Sequence, residues 1–302
     1  MRNDEYAMMR SNMPERGLDA LLQPQETILE GGIFVAKGIA ERTVWDAHAI
    51  SNPTHAVISA KDETDAKRKS IEQINDIKQH LKSSDILLDL GAGYGRVAKY
   101  LLPTMPLKGY IACDSSHEML ALFRERHIRC DEEQRTPTLV LNADIHTIPL
   151  IDNSVDVVLV CAVFLHNHKD VVKKSMVEIA RVLKPGGTLL VYSSFPRAAT
   201  AMGVQGAFYQ FLLNLLGKPF KNGPVRYYTL RELDKLLVGY EDIQIIPHGF
   251  SLLPKTLIFL PGPLEKIYRT AIANPINGIL EKLIPASLKA LFAVHFDVIA
   301  CR

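Results

Sequence analysis

Apolar and polar positions along the chain fall into two kinds of segment. Continuous apolar runs occupy residues 86–90, 109–113, 138–141, 155–161 and 188–192. Their shortness and β-branched content predict strands buried on both faces. Between them, apolar residues recur at helical spacing: Val97, Tyr100 and Leu101 after the first run, Met119, Leu120 and Phe123 after the second, and residues 171–183 after the fourth. Such alternation predicts a parallel sheet with helices on both faces. Lys184-Pro185-Gly186-Gly187 forbids the last of these helices from continuing. Another helix precedes the first strand, with Ile71, Ile74, Ile77 and Leu81 on one face and Asp62 or Thr64 able to cap its start.

Beyond this core the pattern is broken. Residues 1–60 carry Pro14, Pro24, Pro53 and the pair Gly31-Gly32 between short amphipathic pieces, which reads as an N-terminal helical cap on a main domain of residues 61–302. An apolar stretch at 208–216, flanked by Gly206 and Gly217, marks a helical insertion at about 195–228. Helical spacing resumes at 229–238, a strand is predicted at 242–246, a second helical insertion follows at about 251–291, and a final strand closes the chain at 293–300.

Composition narrows the function classes. A 47% hydrophobic chain of 302 residues can bury a large core, and a net charge of +2 sets up no field suited to nucleic acid. No apolar run approaches the roughly 20 residues that span a bilayer. Met1-Arg-Asn-Asp-Glu-Tyr lacks the apolar stretch of a signal peptide, so a cytoplasmic setting is expected. The cysteines Cys113, Cys130, Cys161 and Cys301 lack metal-ligand spacing and read as reduced thiols, two of them inside buried strands; no metal site is read.

The segment that carries chemistry is Ile86-Leu-Leu-Asp-Leu-Gly-Ala-Gly-Tyr-Gly-Arg96, a strand running into a Gly-rich turn and a helix. Glycine removes the Cβ atoms that hold a ligand away from backbone, and a helix N-terminus offers unpaired N–H groups. A dinucleotide turn places its third glycine where this chain has Arg96. Asp89 beside the turn would repel a pyrophosphate but suits an ammonium group. Further on, Asp114 ends the second strand, where a carboxylate can accept hydrogen bonds from ribose hydroxyls. Asp144 follows the third strand, where it can accept an exocyclic amine while Ile145 packs on an aromatic base.

In this order the motifs resemble those of class I S-adenosylmethionine-dependent methyltransferases: Asp-x-Gly-x-Gly-x-Gly, the acid at Asp114, Leu141-Asn-Ala-Asp144-Ile-His, Asn153-Ser-Val-Asp156, and Glu178-Ile-Ala-Arg-Val-Leu-Lys-Pro-Gly-Gly187. The resemblance covers residues 64–250 and the last strand. It implies an α/β, Rossmann-like, doubly wound seven-stranded mixed sheet with its last strand antiparallel. It also implies S-adenosylmethionine as cofactor, S-adenosylhomocysteine as product, and a cofactor set of Asp89, Gly91, Ala92, Gly93, Gly95, Asp114, Ser115, Met119, Asp144, Ile145 and Cys161.

Methyl transfer by in-line displacement needs alignment rather than a covalent intermediate. A hydroxyl acceptor would gain from a base, for which His166 is the candidate, with His168 behind it. Trp45, His48 and His55 are cap residues able to reach the pocket or to serve as packing anchors. The Asn/Asp-Pro-Pro-Tyr/Phe signature of amino-group methylases is absent after the fourth strand, which again disfavours nucleic acid. The apolar insertions, with Lys255, Lys266, Arg269, Lys282 and Lys289 nearby, suit a small or lipid-like acceptor, a peripheral membrane contact or a homodimer interface. A non-catalytic cofactor-binding protein on the same fold and a nucleotide-dependent oxidoreductase are the alternatives.

Overall fold

Residues 27–36 read Thr-Ile-Leu-Glu-Gly-Gly-Ile-Phe-Val-Ala, two four-residue apolar pieces separated by a glycine pair. They form a hairpin in the computed structural model, which describes residues 17–23, 26–39, 45–47, 49, 63–128, 136–217, 225–254, 257 and 260–302. Strand β1 (Thr27–Glu30) pairs antiparallel with β2 (Ile33–Ala36), Glu30 opposite Ile33. Gly31 and Gly32 take φ of 54° and 82°, the two positive values that a tight two-residue turn demands. The helical cap expected over residues 1–60 is thus corrected where the structure describes it: β2 adds in parallel to the main sheet, with Phe34 opposite Leu141. Four-residue strands are too short for periodicity to declare, whereas the glycine pair was a usable turn signal. Residues 45–47 and 49 are helical. His48, His55, Asp62, Lys255 and Cys130 lie outside the described residues.

Two compact units make up the chain. The first takes in the described residues up to Cys161 with residues 170–190 and 301–302; the second takes in residues 162–169 and 191–300. Helix α1 (Glu63–Lys78) begins one residue before Thr64, which therefore lies inside it, and buries Ile74 and Ile77. The first-unit core then alternates β3 (Ile86–Leu90), α2 (Arg96–Leu101), β4 (Gly109–Asp114), α3 (His117–His127), β5 (Thr138–Asn142), β6 (Val155–Cys161) and α4 (Lys169–Val182), the last starting in the second unit. Every residue of β3 and β5 is buried, as continuous apolar runs require. Strand order in this unit is β1-β2-β5-β4-β3-β6, followed by the first part of β7 (Leu183–Pro196). The chain runs outward from β3 through β4 to β5, then returns to β6 on the other side of β3. That reversal lies at β3, and ligands of doubly wound sheets bind at the carboxyl ends of the strands where the order reverses.

Lys184-Pro185-Gly186-Gly187 does end α4, but the chain enters a strand at once: Gly186 N donates to Arg302 O at 2.8 Å and Arg302 N to Gly187 O at 2.9 Å. In the second unit, Arg197 N donates to Val294 O at 2.9 Å. The partner number falls as the donor number rises, so β9 (Ala293–Cys301) runs antiparallel to β7. Strand β8 (Glu241–Phe250) follows β9 at the edge. Nine strands are therefore present among the described residues, the hairpin supplying the two beyond the expected seven.

The insertions are helical. Helix α5 (Ala201–Leu215) starts at Thr200, whose hydroxyl accepts from Gly203 N at 2.9 Å. Helix α6 (Leu230–Leu236) starts with a Thr229–Glu232 capping box. Helix α7 (Gly262–Ile267) continues through a π-helical stretch, Tyr268–Ala273, into α8 (Asn274–Leu283).

Candidate functional site

The Gly-rich turn is built around the end of β4. Gly91 N and Ala92 N both donate to Cys113 O, at 2.7 and 2.9 Å, and Gly93 N donates to the Asp114 carboxylate at 2.8 Å. These amides close the turn on the neighbouring strand instead of facing outward as the sequence suggested. The glycines divide the remaining work. At Gly93, φ is 54° and an added Cβ would meet nothing within 4 Å, so the turn presents open backbone there. At Gly95, φ is 88° and an added Cβ would lie 2.5 Å from the His127 ring and 2.7 Å from Phe123, so this glycine lets α2 pack against α3.

Strand register aligns the acids. Cys113 sits between Leu90 of β3 and Leu141 of β5, so Asp89, Asp114 and Asp144 lie within a few residues of one level at the carboxyl ends of three adjacent strands. The Cys113 thiol reports their convergence. Burial pushes its pKa well up, and Asp114, Asp144 and Asp89 each raise it further. Asn142 locks the arrangement: its Nδ2 donates to Asp114 O at 2.9 Å while Ala143 N donates to the same carbonyl at 3.0 Å.

Each acid has a distinct environment. Asp89 is 1% exposed, and its Oδ2 accepts the hydroxyl proton of Tyr110 from the adjacent strand. Burial raises its pKa to about 6, against the lowering effects of Tyr110 and Arg96, with Asp114 adding a further upward push. Asp114 is raised by burial despite backbone donors at Ser116, Gly93 and Ser115, and Asp46 adds repulsion. Asp144 is half-buried, with Ile145 buried beside it. Met119 is buried on α3, where Ser116 caps the helix by accepting its amide at 3.2 Å.

The stretch around Trp45 joins this site. Trp45 packs against a cluster of Ala49, Tyr94 and Met119, and Asp46 accepts a 2.5 Å hydrogen bond from Ser116 Oγ. Trp45 is thus a packing anchor at the Gly-rich turn. A cleft of about 570 Å³ lies nearby between Glu30–Ile33 and the His117–Glu125 face of α3, but none of its lining residues belongs to the expected cofactor set.

Arg96, considered in the sequence only as a missing glycine, proves central. The residue is 6% exposed, and its guanidinium donates to Gln73 Oε1 at 2.7 Å and to Cys161 Sγ at 2.9 Å and lies close enough to Asp89 to lower its pKa. Nε and Nη1 have no hydrogen-bond partner among the described residues. Buried guanidinium donors left unpaired are costly, so a ligand acceptor there would recover that cost. Cys161 meanwhile also donates to Gln73 at 3.3 Å, so its sulfur holds Arg96.

A second missed residue is Arg181 of α4. It donates to Leu150 O and Ile148 O, each at 2.7 Å, and pairs with Glu178 and Asp152 at 2.8 Å, fastening the loop that follows Asp144. Burial alone would raise the Glu178 pKa, but hydrogen bonds from Arg181 and Ile148 N bring it below its usual range. Asp156 is structural: it accepts from Ile86 N at 2.9 Å and from Lys184 at 2.7 Å.

His166 belongs to the second unit, at the end of a short 3-10 helix, Phe164–His166. Arg226 N donates to Leu165 O at 2.7 Å, and Lys169 pairs with Glu232 at 2.6 Å to fasten the following segment. His168 precedes α4.

These features have counterparts in known proteins. Residues 88–191 match the model of a methyltransferase domain. A ubiquinone/menaquinone biosynthesis C-methyltransferase UbiE of Neisseria meningitidis is 34% identical over 178 residues, which cover 57% of this chain and 69% of that protein. A sarcosine/dimethylglycine N-methyltransferase of Halorhodospira halochloris is 28% identical over 62% of this chain, and the match spans only 63% of that protein's length. Among solved structures, a Haloferax volcanii methyltransferase in complex with a methyltransferase activator aligns with a TM-score of 0.54 at 18% identity, covering 85% of this chain and 96% of that one. Phosphoethanolamine N-methyltransferase 2 of Haemonchus contortus has the same TM-score at 16% identity, covering 88% of this chain and 61% of its own. A strand-end acid on each of three neighbouring strands, a Gly-rich turn and this sequence kinship converge on one conclusion: the chain belongs to the class I S-adenosylmethionine-dependent methyltransferases.

Proposed function

We propose that this chain methylates a small lipophilic molecule by in-line displacement, with the apolar helices of its second unit seated on an anionic membrane surface. The observation that carries the cofactor side is the strand register that brings Asp89, Asp114 and Asp144 near one level at the carboxyl ends of three adjacent strands. S-adenosylmethionine, when bound, supplies a methyl group on a sulfonium that is open to nucleophilic attack. The residues present fit that molecule. Asp89 and Arg96, a buried carboxylate and a buried guanidinium with unpaired donors, complement the ammonium and carboxylate of its amino-acid end. Open backbone at Gly93 admits close approach beside Ala92, Asp114 and Ser115 meet the ribose hydroxyls, Met119 backs the site, and Asp144 with Ile145 holds the adenine. Cys161 positions Arg96. His166 is assigned as base for a hydroxyl acceptor.

The acceptor class rests on the second unit's surface. On α5, Val204, Phe208, Phe211 and Leu215 recur every three or four residues and stay exposed, Phe211 at 63%. Along α7, the π-helical stretch and α8, the exposed residues are Leu264, Ile267, Ile272, Ile276, Ile279 and Leu283. The five-residue step from Ile267 to Ile272 falls where the helix widens to π geometry, so the six keep to one stripe. The opposite side is anchored: buried Asn277 accepts from Leu252 N and Leu253 N at 3.0 Å and donates to Leu253 O at 2.9 Å. Exposed Lys266 and Lys282 flank the stripe. An apolar stripe edged by cations suits an anionic interface. The C-methyltransferase relative, by its name, serves ubiquinone and menaquinone biosynthesis, which agrees with a lipophilic acceptor.

The test is incubation with methyl-labelled S-adenosylmethionine and fractionated cell extract, alongside sedimentation with anionic and neutral vesicles. Label in the organic-soluble fraction and salt-sensitive binding to anionic vesicles are expected. Label confined to water-soluble products would overturn the lipophilic acceptor. Dimerisation without vesicle binding would give the stripe to a second copy. Cofactor binding without label transfer to any fraction would favour the non-catalytic alternative.

A further inference from the structure

The second unit carries a cluster of metal-ligating side chains that the methyltransferase reading does not use. Ser251 N donates to Phe292 O at 3.0 Å, just beyond β8 and just before β9. Carried three residues along both antiparallel strands, this register sets His248 beside His295, and their rings stack with centroids 4.8 Å apart and planes 19° apart. The two-residue period of a strand then puts Asp297 on the same face as His295. His248 Nδ1 lies 3.0 Å from Asp297 Oδ2, and His295 Nε2 lies 3.7 Å from Asp297 Oδ1. One ligand atom from each residue can be chosen so that all lie within 4.8 Å of one another.

We propose that His248, His295 and Asp297 form a binding site for a divalent first-row transition-metal ion. Zinc–nitrogen and zinc–oxygen bonds of about 2.0–2.2 Å place neighbouring ligand atoms roughly 3–4 Å apart, so small side-chain rotations bring these three into range. Two imidazole nitrogens and one carboxylate oxygen select zinc, cobalt, nickel or iron(II) over calcium and magnesium, which require oxygen-rich shells. The carboxylate is held for the purpose. Asp297 is buried, and its Oδ1 accepts a 2.7 Å hydrogen bond from Ser193 N. Ser193 adopts φ of 51° within β7, a conformation a strand residue rarely takes. A backbone donor fixing a ligating carboxylate is the outer-shell support that metal sites use. His248 is more than half exposed, so three protein ligands leave coordination positions open to water. The ion would also clip the edge strand β8 to β9.

The experiment uses the full chain, stripped with a chelator and dialysed, then titrated with Co2+ while visible absorption is recorded, and separately with Zn2+ by calorimetry. One equivalent of either ion should bind, with ligand-field bands for Co2+ and a rise in Tm for Zn2+. His248→Ala should weaken binding at least tenfold and abolish the rise. Its exposure makes this variant the safe one, while Asp297→Asn, if it folds, should do the same. Failure to saturate at one equivalent, or unchanged affinity in His248→Ala, would overturn the site, the latter by showing that the ion sits on other histidines.

Discussion

Asp89→Asn isolates the energetic cost of the buried carboxylate. In the folded protein burial lifts the Asp89 pKa from 3.8 to about 6. Between those values the native state holds a proton that the unfolded chain has released, so stability falls as pH rises through this window and levels off above it. About two pKa units correspond to roughly 3 kcal/mol at neutral pH. Asparagine keeps an oxygen that accepts from Tyr110 and removes the charge. Denaturation of wild type and variant in urea, followed by circular dichroism from pH 4 to pH 7.5, should show near-equal stabilities at the acid end. A gap in favour of the variant should then open to about 3 kcal/mol above pH 6. The same variant should bind S-adenosylmethionine more weakly, because the counter-charge proposed for the ammonium is lost. A stability difference that does not change with pH would refute the account, since it would mean that Asp89 ionises in the fold as it does in water.

Other substitutions probe the remaining parts. Asp114→Ala, removing the proposed ribose acceptor, should weaken cofactor binding at least about tenfold, or roughly 1.4 kcal/mol, by calorimetric titration; unchanged affinity in a folded variant would remove the assignment. Gly95→Ala meets both positive φ and the His127 ring, so a loss of roughly 1–3 kcal/mol in thermal unfolding is expected, and a neutral effect would contradict the packing described. Arg181→Met frees the loop after Asp144, so faster amide exchange across residues 146–152 and weaker adenosylmethionine binding should appear together; weaker binding without faster exchange would argue against a positioning role. His166→Ala should lower turnover far more than cofactor affinity, and equal turnover with wild type would eliminate it as a base.

The central strands were readable because burial on both faces leaves a continuous apolar run, and two of them, Ile86–Leu90 and Val155–Cys161, match their expected limits residue for residue. Others ran long. β7 begins at Leu183, ahead of the expected strand, because Gly186 and Gly187 just after Pro185 pair with Arg302 and carry the ladder past it. The hairpin went unseen for lack of length, although its glycine pair was visible. Within the site, the three acids stood out because each interrupts or follows its own apolar run. Arg96, Gln73, Asp46 and Arg181 did not, since their importance comes from partners 23 to 70 residues away or from backbone carbonyls, which no local pattern encodes. His248, His295 and Asp297 escaped for the same reason: only His295-x-Asp297 is local, and the third member arrives by strand pairing.

Consider again the amides of Gly91, Ala92 and Gly93, all donated to the end of β4. A loop stitched in this way has its backbone already fixed, so little chain entropy remains to be lost when a ligand associates with it. On the proposed cofactor assignment, recognition at the Gly-rich turn is then close to lock and key. Whatever adaptability the protein needs to admit and release its methyl acceptor must be supplied elsewhere in the chain, by segments whose hydrogen bonds are not committed in advance.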